Sequence, residues 1–175
     1  MILSTSMKRL ASLLIFSSIV LNLSAQNNTK EDSRINETIL YGQLTLDAFT
    51  MDLCSTWYIP EHNSYKADEA ILENLHQQSF EDISISLIIG SWCHDSHREV
   101  PRFIKILEKI NYPFDQLNMN ALDTNKTSPD YDAKANNITN VPTAIIYRKG
   151  NEIGRIIESP KLSLEEDLLI ILSKN

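Results

Sequence analysis

Hydrophobic residues fall along this chain in blocks of changing period. Leu10 to Leu23 is an uncharged run rich in Leu, Ile, Val and Ser, and Gln26 to Glu37 is almost wholly polar, which predicts a mobile leader. From Thr45 on, Leu46, Phe49, Leu53 and Trp57 recur three and four residues apart, the spacing of one helix face. This predicts a helix capped by Thr45, with Cys54 beside the stripe and Pro60 at its end. A second helix is expected from Ala67 to Gln77, burying Ala70, Ile71 and Leu75, with Asp68 and Glu69 near its positive end. Ile83 to Ile89, bounded by Gly90, reads as a buried central strand. Val100, Phe103, Ile104, Leu107 and Ile110 return to helical spacing; Pro101 falls inside that pattern and predicts a kink.

Leu117 to Ala121 predicts a strand, Asp123 to Asp130 a polar loop and Tyr131 to Asn137 a short helix. Thr143 to Arg148 and Glu152 to Glu158 read as two strands joined by Lys149-Gly150-Asn151, a hairpin signal. Ser163 with Glu166 forms a capping box before a last helix holding Leu164, Leu168, Leu169, Ile171 and Leu172. Strands alternating with helices and closed by a hairpin define an α/β class with a mixed central sheet flanked by helices. Four segments follow: residues 1–25, a polar leader at 26–43, an N-terminal helical extension at 44–80, and the α/β domain at 81–175.

Residues 1–25 have the order of a secretory signal peptide: Lys8 and Arg9, the apolar run, then Leu23-Ser24-Ala25 as the cleavage site. The run is shorter than the roughly 20 residues a spanning helix needs, so no membrane span is expected after cleavage. An uncleaved N-terminal anchor is the competing reading. The expected location is beyond the inner membrane, in the periplasm, where disulfide chemistry is permitted.

The chain has 175 residues, with 16 Lys and Arg against 23 Asp and Glu, a formal charge of −7. An acidic balance excludes nucleic acid as a main partner, because a phosphate backbone needs clustered positive charge. Two cysteines can build neither a disulfide scaffold nor a four-thiolate zinc site. The chemistry gathers at Ser91-Trp92-Cys93-His94-Asp95-Ser96, a turn between a strand and a helix. Unpaired amides and the helix dipole at that position favour a thiolate, and the thiolate is the nucleophile. A small buried hydrophobe is the plain alternative for Cys93. Val141-Pro142-Thr143, at the start of the hairpin, could pair with an extended peptide if its Val141–Pro142 bond is cis.

These features together resemble the thioredoxin superfamily. The carrying residues are Trp92-Cys93-His94-Asp95-Ser96, Pro101 eight positions after the cysteine, and Val141-Pro142-Thr143 before a hairpin. The run from Ser91 to Leu107 is most similar to envelope-located bacterial thioredoxin-like proteins, with Trp-Cys-x-Asp-Ser leading into Arg-Glu-Val-Pro-Arg-Phe. The resemblance implies a thioredoxin-like fold. It implies Cys93 as the attacking thiol, Trp92 as its flanking aromatic, Pro142 as the cis-proline and Val141 as the holder of a substrate strand. Ser96 then occupies the place of the resolving cysteine, where its hydroxyl is expected to support the Cys93 thiolate by a hydrogen bond without being able to resolve it, and Leu87 the place of a buried acid. Both departures point to a monothiol site that forms mixed disulfides and relies on an external thiol for release.

Protein disulfides or thiols are the implied partners, and no cofactor is implied. Cys54 reads first as a buried structural cysteine; a redox pair with Cys93 remains the alternative. His94 and Asp95 are expected to tune Cys93, in opposite senses. Cys93, His94, Asp95 and His97 also raise metal binding, but no ligand geometry follows from adjacent residues at a helix start, so no metal site is assigned. Arg98, Glu99 and Arg102 are expected on a solvated helix face. A non-catalytic binding module on the same fold, and an envelope copper-handling protein, are the competing functions.

Overall fold

The computed structural model describes residues 27–174, so the proposed signal peptide lies outside the described residues. The described chain begins with a β-hairpin, β1 (Thr29–Asp32) and β2 (Glu37–Leu40), followed by strand β3 (Gly42–Leu44). A 3₁₀ turn at Leu46–Thr50 leads into α1 (Asp52–Ser64) and α2 (Glu69–His76). Then come β4 (Ile83–Ile89), α3 (His94–Lys109), β5 (Leu117–Ala121), the hairpin β6 (Thr143–Arg148) and β7 (Asn151–Ile157), and α4 (Leu164–Leu172). Five strands form one mixed sheet in the order β3-β5-β4-β6-β7. β4 and β5 are parallel, whereas β3, β6 and β7 join antiparallel. Among the described residues no helix is long and apolar enough to cross a membrane.

The alternation of β4 divides the core. Ile83, Ile85, Leu87 and Ile89 point into a large cluster with Leu72 and Leu75 of α2, Phe103 and Ile104 of α3, and Leu168 and Leu172 of α4. Cys54 of α1 is in the same cluster. Ile88 points the other way, into a small cluster with Leu122, Ala133, Ile138, Val141 and Ile145. All four helices thus contribute to one core, and the turn-rich chain between β5 and β6 covers the other side. Gly154 of β7 permits close packing of α4, since a Cβ there would lie 2.9 Å from Ile171. The β6–β7 loop is the two residues Lys149 and Gly150, both at positive φ, the geometry of a type I′ turn.

Four local expectations change. The polar leader is not a free tail: it contains the β1–β2 hairpin and runs into β3, an edge strand of the main sheet. Its polar side chains are spent on partners more than 90 residues away. Asp32 accepts from the Thr124 amide at 3.0 Å and hydroxyl at 2.7 Å, and Lys30 donates to Asp123 at 2.8 Å. Thr45 precedes the 3₁₀ turn and caps nothing with its side chain; Met51 is the α1 cap residue. Pro60 lies inside α1 rather than ending it. The turn beyond it is held against α3, where Glu61 accepts from Arg102 at 2.6 Å and the His62 carbonyl accepts from Lys105 at 2.7 Å.

Tyr131–Asn137 is a run of turns, not a helix. There the Asp132 carboxylate accepts from the Ala135 amide at 2.9 Å and Asn137 adopts φ 54°, local bonding that competes with a helical ladder. The strands at 83–89, 117–121 and 143–148 lie where the pattern predicts them. Ser163 caps α4 by accepting from the Glu166 amide at 3.2 Å.

Candidate functional site

The site forms where β4 ends and α3 begins. Cys93 is the cap residue of α3, with extended backbone (φ −92°, ψ 125°) and a half-exposed side chain. Its amide donates to the Gly90 carbonyl at 2.9 Å, and its carbonyl accepts from the His97 amide at 3.1 Å. Cys93 thus stands at the start of α3, but its side chain makes no capping hydrogen bond to the first-turn amides; Asp95 lies in the first turn and Lys109 in the last. Pro101 sits inside α3 and has no N–H, so the His97 carbonyl gains no partner four residues on.

The Cys93 thiol donates to the Val141 carbonyl at 3.0 Å. The Val141–Pro142 peptide bond is cis. The β5–β6 connection thus delivers Val141 to the cysteine across 48 residues of sequence. Among the described residues the Val141 amide has no hydrogen-bond partner. Beside the sulfur, the Trp92 indole donates to the Leu122 carbonyl at 2.9 Å. It lies against Gly90, where an added Cβ would come within 2.8 Å of the ring. A side chain at position 90 would displace the indole.

Ser96 is fully buried, and its hydroxyl accepts from the Gly90 amide at 3.2 Å. It anchors the end of β4, and no hydrogen bond joins it to the sulfur among the described residues. Asp95 pairs with Arg98 at 2.8 Å, and Arg98 also donates to Ser159 at 2.8 Å. His94 is exposed on the first turn of α3. Glu99, expected on a solvated face, is instead buried and accepts from Arg98 at 2.5 Å. Together with Leu87 and Pro142 it lines a small pocket between α3 and the sheet. A paired carboxylate can be buried where a lone one cannot.

Cys54 and Cys93 are both free thiols. Cys54 is fully buried in the helix-side core, and that desolvation pushes its thiol up to about 12. Cys93 packs against the opposite, smaller cluster. The structure brings Cys93, Trp92, Val141 and Pro142 together and leaves Cys54 in the other core. Among the described residues no group of three Cys, His, Asp or Glu side chains is arranged to hold a metal ion. Sequence reasoning passed over Gly90, Leu122 and the pair Trp57–His97. The i, i+4 spacing of Cys93 and His97 was the available signal for the last of these.

No family model matches the chain, and no curated protein matches it. Among solved structures it is similar to a protein of unknown function from Pseudomonas aeruginosa, at 13% identity and a TM-score of 0.52, covering 75% of this chain and 90% of that one. An HIV epitope-scaffold overlaps at 12% identity and a TM-score of 0.53, covering 74% and 92%. A thioredoxin from Aeropyrum pernix overlaps less well, at 15% identity and a TM-score of 0.36, covering 61% and 85%. The chain shares its overall fold with the first two of these structures.

Proposed function

We propose that this protein carries out thiol–disulfide exchange through a single nucleophilic cysteine, Cys93. The Cys93 thiolate attacks one sulfur of a substrate disulfide. A Cys93–substrate disulfide forms, and the second substrate sulfur leaves as a thiolate. An external thiol then attacks the Cys93 sulfur, releasing the substrate as its thiolate. A second external thiol frees Cys93 and leaves as the oxidised donor. Alternatively, the freed substrate thiolate attacks a second disulfide of its own chain, and the thiolate that this expels attacks the substrate sulfur of the mixed disulfide, forming a new substrate disulfide and releasing Cys93 as its thiolate; the outcome is isomerisation. Ser96 cannot resolve the mixed disulfide, so release depends on thiols from outside the site.

One observation carries this reading: a half-exposed thiol at a helix start, hydrogen-bonded at 3.0 Å to the carbonyl that precedes a proline. Val141 offers that carbonyl and an unpaired amide, the two groups an extended substrate strand would use. Export by residues 1–25 to the periplasm belongs to the same proposal, and there disulfide substrates persist.

The test is trapping of mixed disulfides in the native envelope, followed by reduction and mass identification. Covalent complexes through Cys93 are expected, and Cys93→Ala removes them. Complexes that persist without the sulfur would replace this reading with that of a binding module. Thiol exchange unchanged in Cys93→Ala would end it.

A further inference from the structure

We infer that His97, braced by Trp57, is a positioning residue for the Cys93 thiol, so that α1 governs the reactivity of a cysteine it does not carry. The inference rests on the exchange reading above. The His97 Nε2 lies 2.6 Å from the Ser91 carbonyl oxygen. A carbonyl only accepts, so Nε2 carries the proton and the ring donates. The backbone amide of the same residue donates to the Cys93 carbonyl at 3.1 Å. One residue therefore pins both ends of Ser91-Trp92-Cys93.

The ring is held in turn from α1. Trp57 stacks on it with centroids 4.4 Å apart and planes 15° apart. Trp57 is fixed by its indole bond to the Leu53 carbonyl at 3.2 Å and by edge contacts with Phe49 and Tyr58, each at 6.1 Å. Ser91 is buried, and its hydroxyl accepts from the Leu40 amide at 2.9 Å. Without the imidazole donor, the Ser91 carbonyl has to find water, because an unpaired buried acceptor is costly. The turn then shifts, and the sulfur is no longer fixed against the Val141 carbonyl.

Three variants of the full chain test this: His97→Phe keeps a ring on Trp57 and loses the donor, His97→Gln keeps a donor, and Trp57→Leu removes the brace. The rate of iodoacetamide alkylation at Cys93 is followed by mass as a function of pH, with thermal unfolding as the folding control. His97→Phe is expected to slow alkylation at neutral pH roughly two- to fivefold, the size of an ordinary helix-terminus interaction. His97→Gln recovers most of the rate, and Trp57→Leu falls between. A folded His97→Phe that reacts like the wild type overturns the proposal, as does a His97→Gln as slow as His97→Phe. If His97→Phe does not fold, a folded Trp57→Leu with wild-type kinetics overturns it and a slowed one supports it. Exchange of the wild type with glutathione disulfide reads the parent proposal separately: its absence defeats the exchange reading while the alkylation comparison still decides the role of His97.

Discussion

Cys93 and Val141 meet through a thiol-to-carbonyl hydrogen bond of 3.0 Å. Cys93 is set by the end of β4 and Val141 by the chain that enters β6. Their meeting depends on the antiparallel register of those two strands, in which Ile88 faces Thr143.

Ser96→Cys places a second thiol one helical turn from Cys93. An internal thiol acts at millimolar effective concentration, so mixed disulfides should decay on the order of tenfold faster than in the wild type. Quenched gel shifts of trapped complexes measure this. Equal lifetimes would mean that position 96 cannot reach the Cys93 sulfur. The substitution also replaces the hydroxyl that holds the Gly90 amide, so a small loss of stability accompanies it.

Thiol counting separates the two cysteines. Burial pushes the Cys54 thiol up to about 12, whereas Cys93 is half-exposed. The native protein should present one thiol to a colorimetric disulfide reagent, and a second only on unfolding in denaturant. Two fast thiols in the native state would contradict the packing of Cys54.

Gly90→Ala should damage the site without touching the sulfur. Its Cβ would stand 2.8 Å from the Trp92 ring, so the indole has to leave and its bond to Leu122 breaks. A destabilisation of about 1–3 kcal/mol is expected in urea unfolding, as for other overpacked sites. Tryptophan emission should move to the red as the ring becomes wet.

The N-terminal hairpin makes part of the stability depend on acid. The Thr124 amide and hydroxyl hold the Asp32 carboxyl below its ordinary range. Burial works the other way on Asp123, but the bonds from Lys30 and Thr127 outweigh it and lower it too. Both groups bind protons less readily when folded. Their contribution is complete above the unfolded carboxylate range near pH 4, and it is lost as pH falls through the lower folded values. Melting temperature against pH should drop more steeply below about pH 4 in the wild type than in Asp32→Asn or Asp123→Asn, each of which starts lower at pH 7. An unchanged acid slope in both variants would show that the hairpin contributes nothing there.

The strands were the most legible part of the chain, because a run such as Ile83 to Ile89 carries its period and its boundary glycine in itself. Cys93, Trp92, Val141 and Pro142 were legible because each sits at a punctuated position. Glu99 was not: a glutamate on a helix looks solvated until Arg98 is seen to pair with it. The leader misled for a related reason, since Asp32 and Lys30 have partners near position 124 that no local window contains. The run of 131 to 137 has helical composition, but Asp132 and Asn137 bond locally instead. Trp57 packs on the core as its stripe predicts, and its stacking on His97 was not legible.

The chain between Leu122 and Val141 is a thin ply over a small cluster, while α3 is rooted in the large one. Local opening is easiest where the fewest apolar groups are buried. The ply can breathe as its own foldon, carrying Val141 away from a Cys93 that stays put. Amide exchange from 122 to 141 should then outpace that of α3. Under the proposed exchange reading, this motion would admit a bulky folded client without global unfolding of its host.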